Sequence, residues 1–293
     1  MSTAFIVNSR IGKKKMIAFR RSLSIHFGDK LHMVKMTAYA GHAPLLAEEA
    51  IRQGATRIVA VGGDGTVNEI VQVLGNTEIA LGIVPLGSGN GLARHCRIPL
   101  QIDAAVALLV DAKVVTIDLG KANDYYFVSN TGVGFDALVC RKIKETNRRG
   151  LMMYVRYVFK QFFSYKSNFY DINIDGHEIR KKAYFLNVAN GKEFGYGFKI
   201  SPNASIQDQL LNLIVVEEIS IFNAVAFVID GWKGSLYRNK YVYHTIAKSI
   251  QIKSPNKMEL QTDGDARDCG VFCHIFVCPN ALKLLVPPNV SIL

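Results

Sequence analysis

The sequence predicts two domains of different class: an N-terminal three-layer α/β domain, then an antiparallel β-sandwich with helical insertions. Three observations carry that expectation. Short β-branched runs alternate with helical periods over the first ~120 residues, which is the pattern of a parallel sheet with helices on both faces. After Val114, strand-like runs separated by Asn-Asp, Asp-Gly and Asn-Gly dominate instead. The chain has 293 residues, at the upper end of the roughly 250–300 at which single cores stop growing.

In the first half the strands are expected at Ala4–Val7, Leu31–Thr37, Arg57–Val61 and Ile79–Pro85, with the apolar helix Asp103–Ala112 closing it. Ligands of such sheets bind beyond the C-terminal strand ends, so the loops after Val7, Thr37, Val61 and Pro85 should converge. In the second half, strands are expected at Val114–Leu119, Tyr125–Asn130, Phe169–Ile174, Lys182–Asn190, Leu211–Val216, Ser249–Lys253, Met258–Thr262 and Val271–Val277. Helical insertions are expected at Gly150–Tyr165 and Ile221–Tyr237. The boundary falls between residues 117 and 118, and the second domain runs to 279.

Composition narrows the class. A 49% hydrophobic share with 20% charged residues excludes a disordered chain. The start of the chain has no basic stretch and only four consecutive apolar residues, and no apolar run approaches the ~20 residues that span a bilayer. The expectation is a cytoplasmic protein, peripheral to the inner face of any membrane it touches, with its five cysteines reduced. Cys269, Cys273, His274 and Cys278 do not make a zinc site on this reading. An extended strand would hold Cys269 and Cys273 ~13 Å apart. The seven histidines show no HxH or HExxH spacing, and His42 and His95 are read as surface or cap residues. The net charge of +11 calls for an anionic partner. Between Arg141 and Lys166, eight basic residues stand against Glu145 alone. No RNP-like aromatic pattern or helix-turn-helix signal is present, so nucleic acid is not expected to be that partner.

Two small-residue loops carry the chemistry. Arg57–Val61 runs into Gly62, Gly63, Asp64 and Gly65, and Thr66-Val67-Asn68-Glu69 opens a helix that Thr66 is placed to cap. Glycines let backbone N–H groups approach phosphate oxygens, and a helix N-terminus adds partial positive charge. One βα unit later, Gly87, Ser88, Gly89, Asn90 and Gly91 repeat the device. Asp64 beside a phosphate nest suits a divalent cation or a hydroxyl proton. Neither loop is a Walker A sequence, and the Rossmann glycine pattern fails at Leu92.

GGDGTVNE at Gly62–Glu69 with PLGSGNGLAR at Pro85–Arg94 resembles the catalytic domain shared by diacylglycerol kinases, sphingosine kinases and bacterial lipid-kinase relatives. Asn8–Gly12 is similar to that family's first phosphate loop, Thr131–Asp136 to its GxGFD segment, and Asp263-Gly264-Asp265 to its DGE motif. The resemblance implies an N-terminal domain of the NAD kinase and phosphofructokinase type, to which residues from about 280 to 293 return, and a lipid kinase using ATP and Mg2+. ATP would lie against Asn8, Ser9, Arg10, Ile11, Gly12, Thr37, Gly62 to Glu69, and Gly87 to Asn90. Asp265 falls on the family's proton-accepting glutamate, Asp263 would support it, and Asp64 would help place the catalytic magnesium. A second magnesium is implied at Asp208, with Ser205 and Leu210 as carbonyl donors. The acceptor would be a lipid alcohol, diacylglycerol-like or sphingoid-like. A homodimer is left open.

The chain departs from the pattern at four positions. Gly91 replaces an aspartate common in diacylglycerol kinases, Asp265 is one methylene shorter than glutamate, and Gln209 and Asn212 replace the glycine and aspartate of DGxLD. Several alternatives stay open at the level of sequence. The chain could be an NAD kinase-like phosphotransferase, which shares GGDGT, or a catalytically weak nucleotide- or lipid-binding protein. By itself Asp263-Gly264-Asp265 reads as a polar hairpin turn after Met258–Thr262, and only the resemblance makes it a catalytic motif; Asp136 either faces a cleft or caps a turn. The apolar positions 151, 155, 158, 159 and 162 of the stretch Arg149–Lys166 form a helix face that either packs on the sandwich or docks on anionic lipid.

Overall fold

In a computed structural model of the chain, residues 2–28, 32–146, 151–162, 164–193 and 197–289 are described. Leu31, Arg148, Arg149, Gly150 and Phe163 of the stretches named above lie outside them, as do the side chains of Leu151, Met152, Tyr154, Ile221 and Phe222. The chain divides into two compact units, Met1–Leu119 with Pro279–Leu293, and Gly120–Cys278.

Unit 1 begins β1 (Thr3–Val7), α1 (Lys13–Phe27), β2 (His32–Met36), α2 (Ala43–Arg52), β3 (Arg57–Gly62) and α3 (Asp64–Leu74). It continues with β4 (Ala80–Pro85), α4 (Gly91–His95), α5 (Ile102–Asp111) and the start of β5 (Lys113–Ala122). The sheet is parallel in the order β4-β3-β1-β2, with Lys283 and Leu284 of the returning chain paired to Ala80 and Leu81. Every residue of β1 is buried, because alternate side chains meet helices on opposite faces. Phe5, Val7, Val59 and Val61 join Phe19, Leu23 and Phe27 of α1 and Val106 and Leu109 of α5 in one core. The Phe5 ring meets the Phe27 edge at 5.0 Å. Ala4, Ile6, Ile58 and Ala60 are buried on the opposite face, where α2 and α3 contact the sheet. Each fully buried aliphatic or aromatic side chain here contributes about 1.5–3 kcal/mol.

Unit 2 holds β6 (Tyr125–Phe127), β7 (Asn130–Gly134), α6 (Phe135–Glu145), α7 (Leu151–Phe162), β8 (Asn168–Ile174), β9 (His177–Ala183), β10 (Phe185–Ala189) and β11 (Leu211–Val216). After these come α8 (Ile221–Lys233), a 3-10 turn at Leu236–Arg238, β12 (Val242–Ala247), β13 (Ser249–Thr262) and β14 (Asp265–Val286), whose residues from Pro279 onward belong to unit 1. Among the described residues these strands pair antiparallel in the order β12-β11-β10-β7-β13. β13 pairs with β8 through Ile250–Lys253 and with β7 through Leu260–Thr262, so a single strand serves both ends of the core around Tyr170, Leu186, Leu213, Ile250 and Leu260.

Several elements differ from expectation, each for a local reason. Ser249–Lys253 and Met258–Thr262 form one strand, because a register shift between Lys253 and Met258 absorbs the Ser254-Pro255-Asn256 interruption without ending it. Tyr125–Asn130 is two strands, because the amides of Val128, Ser129 and Asn130 point at the Asp263 carboxylate. Lys182–Asn190 breaks at Tyr184, and its start belongs to the charged strand β9, paired with β8 across an Asp175-Gly176 turn. The Cys269 and Cys273 thiols are close enough to shift each other's ionisation, which an extended strand holding them ~13 Å apart would not allow. Gly270, at φ +69°, bends β14 between them. All five cysteines are free thiols, and no cluster of three or more His, Cys, Asp or Glu side chains suited to a metal occurs among the described residues.

Candidate functional site

In unit 1 the first, second and third strands end side by side. The Asn8 N–H donates to Val61 O at 3.0 Å and the Thr37 N–H to Val7 O at 2.9 Å. Asn8 Nδ2 then donates to Thr66 Oγ1 at 3.0 Å, and the Ser9 N–H donates to Thr37 Oγ1 at 3.1 Å. Asn8, Ser9, Thr37 and Thr66 are therefore one hydrogen-bonded set above the strand ends. Arg10 and Ile11 fold back on Asn8, whose Oδ1 accepts the Arg10 N–H at 2.9 Å and whose main-chain O accepts the Ile11 N–H at 3.2 Å.

The helix starts two residues earlier than its sequence suggested. α3 runs from Asp64 with Gly63 as its N-cap, and the Thr66 and Val67 N–H groups both donate to Gly63 O. Thr66 is not the cap. Its hydroxyl lies in the first turn, where it accepts from Asn8, and a Cβ on Gly62 would stand 2.4 Å from that oxygen. Glycine at 62 is what lets strand, turn and Thr66 close on one another. Val67 and Asn68 are buried, and Glu69 accepts the Gly41 N–H at 3.0 Å and the Ala43 N–H at 3.4 Å, holding the loop after β2.

The two glycine loops are joined directly. A Cβ on Gly87 would sit 2.6 Å from Gly63 Cα, so the two backbones touch only because both residues are glycine. Asp64 ties them: its Oδ2 accepts the Asn90 N–H at 2.8 Å and its Oδ1 the Gly91 N–H at 2.7 Å. Asn90, in the left-handed region at φ 54°, closes the second loop on itself through Gly87 N–H to Oδ1 at 2.9 Å and Nδ2 to Gly87 O at 3.0 Å. Arg94 Nε caps Gly89 O at 2.9 Å, and Lys15 Nζ reaches Leu86 O at 2.7 Å. Lys15 and Arg94 were not singled out from the sequence. Lys15 is hidden in the run Lys13–Lys15, and no local signal marks a contact across 71 positions.

In unit 2, Asp263-Gly264 is a two-residue hairpin turn between β13 and β14, both residues at positive φ (48° and 84°). The hairpin reading of this segment is thus correct as geometry, and the turn sets Asp265 at the head of β14, half-buried opposite Thr262. The Asp263 carboxylate accepts the N–H groups of Val128 at 2.8 Å, Ser129 at 2.7 Å and Asn130 at 3.1 Å. Asp175, in the other Asp-Gly turn, accepts Lys248 and Ser249 amides in the same way. Asp263 is accordingly a structural carboxylate that fixes the turn.

Asp136 is fully buried at the start of α6. Its Oδ1 accepts the Ala137 N–H at 2.8 Å and its Oδ2 the Gln261 Nε2 at 3.3 Å, and burial pushes its carboxyl up to about 7. Gln261 also donates to Asn130 Oδ1 and accepts the Gly264 N–H at 2.8 Å. Asp136 is therefore a turn-supporting residue two hydrogen bonds from Gly264. On the outer side, Arg141 pairs with Glu259 and with Asp268 at 2.7 Å, and Lys144 Nζ donates to Ala266 O at 3.2 Å. α6 thus grips the strand that Asp265 begins.

Ser205, Asp208 and Leu210 lie in the loop before β11. Asp208 Oδ1 accepts the Leu210 N–H at 3.0 Å and Ser205 Oγ the Gln207 N–H at 3.2 Å, with Gln209 at φ 61°. The loop brings Asp208 and Leu210 together, and a carboxylate is the hard-oxygen kind of ligand that magnesium takes. His42 caps α2 and accepts the Ala38 N–H through Nδ1 at 3.1 Å, and the Tyr39 ring stacks on it at 4.5 Å.

The chain is similar to known proteins over nearly its whole length. Residues 2–122 match the model of the diacylglycerol kinase catalytic domain, and residues 129–286 that of the YegS C-terminal NAD kinase beta sandwich-like domain. The chain is 32% identical over 274 residues to "Probable lipid kinase YegS-like" of Yersinia enterocolitica serotype O:8 / biotype 1B, covering 91% of this chain and 90% of that one. The protein of the same name from Yersinia pseudotuberculosis serotype I is 30% identical over 273 residues, with the same coverage. A crystal structure of a diacylglycerol kinase from Bacillus anthracis str. Sterne superposes with a TM-score of 0.79, covering 99% of this chain and 98% of that one at 24% identity, a likeness of fold. With both domain models and relatives at 30% or more over nine-tenths of its length, the chain belongs to the YegS-like family that joins a diacylglycerol kinase catalytic domain to a β-sandwich domain.

Proposed function

We propose that the protein is an ATP-dependent lipid kinase that transfers the γ-phosphoryl group to the hydroxyl of a lipid alcohol. The observation that carries the reading is the closure of two glycine loops on each other at Gly63 and Gly87 under the Asp64 carboxylate, at the mouth of α3. Backbone N–H groups and the positive end of an 11-residue helix suit the negative charge of a polyphosphate. Asn8, Ser9, Thr37 and Thr66 border the same mouth and supply polar contacts for the nucleotide.

Bound magnesium would neutralise charge on the phosphates. A carboxylate has about four acceptor positions, and the two backbone bonds to Asp64 leave it capacity to hold a cation. Asp265 takes the acceptor's proton: the lipid O–H bond breaks toward its carboxylate, the freed oxygen bonds to the γ-phosphorus, and ADP departs. Asp263, Asp136 and Gln261 fix the turn that carries Asp265. Ser205, Asp208 and Leu210 would hold a second, structural magnesium.

Incubating the protein with γ-labelled ATP and separate arms of diacylglycerol, a sphingoid base and NAD tests this. Label in a lipid product is expected. Label in NAD with none in lipid would replace the reading with an NAD kinase.

A further inference from the structure

α8 is apolar on both faces. Its inner face, Ala224 and Phe227, packs into the cluster with Ile214, Val216 and Leu236, and Gly231 admits the Phe198 ring where a Cβ would stand 2.1 Å from it. Its outer face carries Val225, Val228, Ile229 and Trp232, exposed by 59, 37, 44 and 57%. Their spacing of three, four and seven places them on one stripe. A helix that is apolar all round belongs in a core or against a lipid phase, and contiguous exposed apolar patches mark interaction sites.

The rim of the stripe is basic. Lys233, Arg238 and Lys240 follow Trp232 and are exposed, while the one acidic residue of the helix, Asp230, turns to Ser235 and Asn239 and closes the helix end. α7, which reaches the same cluster through Phe162, has a similar outer composition: Val155 and Phe159 exposed beside Arg156 and Lys160. Among its described side chains Tyr157, Val158 and Phe162 pack inward, so of the face predicted at 151, 155, 158, 159 and 162, positions 158 and 162 go to the core and 155 and 159 to solvent, while the side chain of 151 lies outside the described residues.

We propose that the outer face of α8 seats the protein on an anionic bilayer, Trp232 and its aliphatic neighbours entering the acyl boundary and Lys233, Arg238 and Lys240 meeting headgroup phosphates. Charge selects this occupant over a second copy of the chain. A two-fold contact would set the same basic rim against itself, whereas an anionic surface complements both the rim and the net charge of +11. The proposal rests on the lipid-acceptor reading only for its purpose, since a kinase of membrane lipids must reach them.

Trp232 is the chain's single tryptophan, so the unmodified protein reports on its own face. Mixed with phosphatidylcholine vesicles containing phosphatidylglycerol, its emission should shift to the blue and be quenched by acyl-brominated lipid. Pure phosphatidylcholine should give a much smaller effect. Trp232→Ser should lower sedimentation with anionic vesicles roughly tenfold, and each Lys→Gln or Arg→Gln at 233, 238 or 240 about fivefold. Unchanged emission on vesicles that do sediment the protein would overturn the proposal, as would Trp232-dependent self-association without quenching by brominated lipid. The two readings fail separately. Phosphorylation of a short-chain, water-soluble diacylglycerol that survives with no tryptophan quenching sinks the docking face alone. Quenching without phosphorylation of any lipid supports the face and sinks the kinase.

Discussion

Asp64→Asn isolates the joint between the glycine loops. The wild-type carboxylate accepts one amide on each oxygen, from Asn90 at 2.8 Å and Gly91 at 2.7 Å. Hydrogen bonds to a charged group contribute about 1.5–3 kcal/mol each. Asparagine keeps one acceptor and turns its own NH2 toward the other backbone N–H, so one charge-assisted bond is lost and two donors face each other. Relaxation is restricted, because Gly89 packs so closely that a Cβ there would lie 2.7 Å from Oδ2. For a half-buried site the cost is about 2 kcal/mol, felt in the pairing of the loops. If paired loops are what bind nucleotide, the same ~2 kcal/mol appears as a roughly 30-fold weaker ATP affinity. Calorimetric titration with ATP and urea denaturation of the same preparations measure both quantities. Asp64→Asn binding ATP within about twofold of wild type would refute the reasoning even if stability fell, since the joint would then matter to the fold and not to the ligand.

Two further perturbations test the supports in unit 2. The Asp136 carboxyl is raised by burial from 3.8 to about 7, while in the unfolded chain it ionises near its ordinary value. The folded state therefore holds a proton that the unfolded state releases. Stability should fall as pH rises between about 4 and 7, by up to roughly 4 kcal/mol, and level off above. Urea melts of Asp136→Asn should lack most of that slope, and an identical slope in both proteins would contradict the buried neutral carboxyl. Asp208→Ala should abolish the rise in melting temperature that Mg2+ gives the wild type, read by differential scanning calorimetry. A Mg2+ response retained by the variant would remove the metal assignment at Ser205, Asp208 and Leu210.

What could be read from the sequence was set by how locally each feature is determined. β1, β3 and β4 were legible because strands buried on both faces are continuous apolar runs, and the glycine loops because nothing else permits their turns. α6 was missed: Phe135 and Asp136 were read as the end of a motif and Arg141–Glu145 as part of a basic stretch, although Phe135, Val139 and Cys140 are buried along one helix. β9 was missed because His177–Ala183 is charged and its pairing with β8 is supplied by the partner strand. The Thr66 cap failed on a long-range competitor: Asn8 takes the hydroxyl, and Gly63 supplies the cap position. The Asp64 joint spans 26 and 27 positions, and the Asp263 contacts more than 130. A single sequence marks such carboxylates as interesting, and only the fold says what they hold.

The central claim is that Asp265 takes the acceptor proton in a phosphoryl transfer fed by the glycine-loop cradle. Single-turnover transfer from labelled ATP to the best lipid acceptor, compared between wild type and Asp265→Asn with ATP affinity measured alongside, tests it most directly. The account predicts a transfer rate lower by about 10²–10⁴-fold with nearly unchanged ATP affinity. Transfer at the wild-type rate by Asp265→Asn would contradict it.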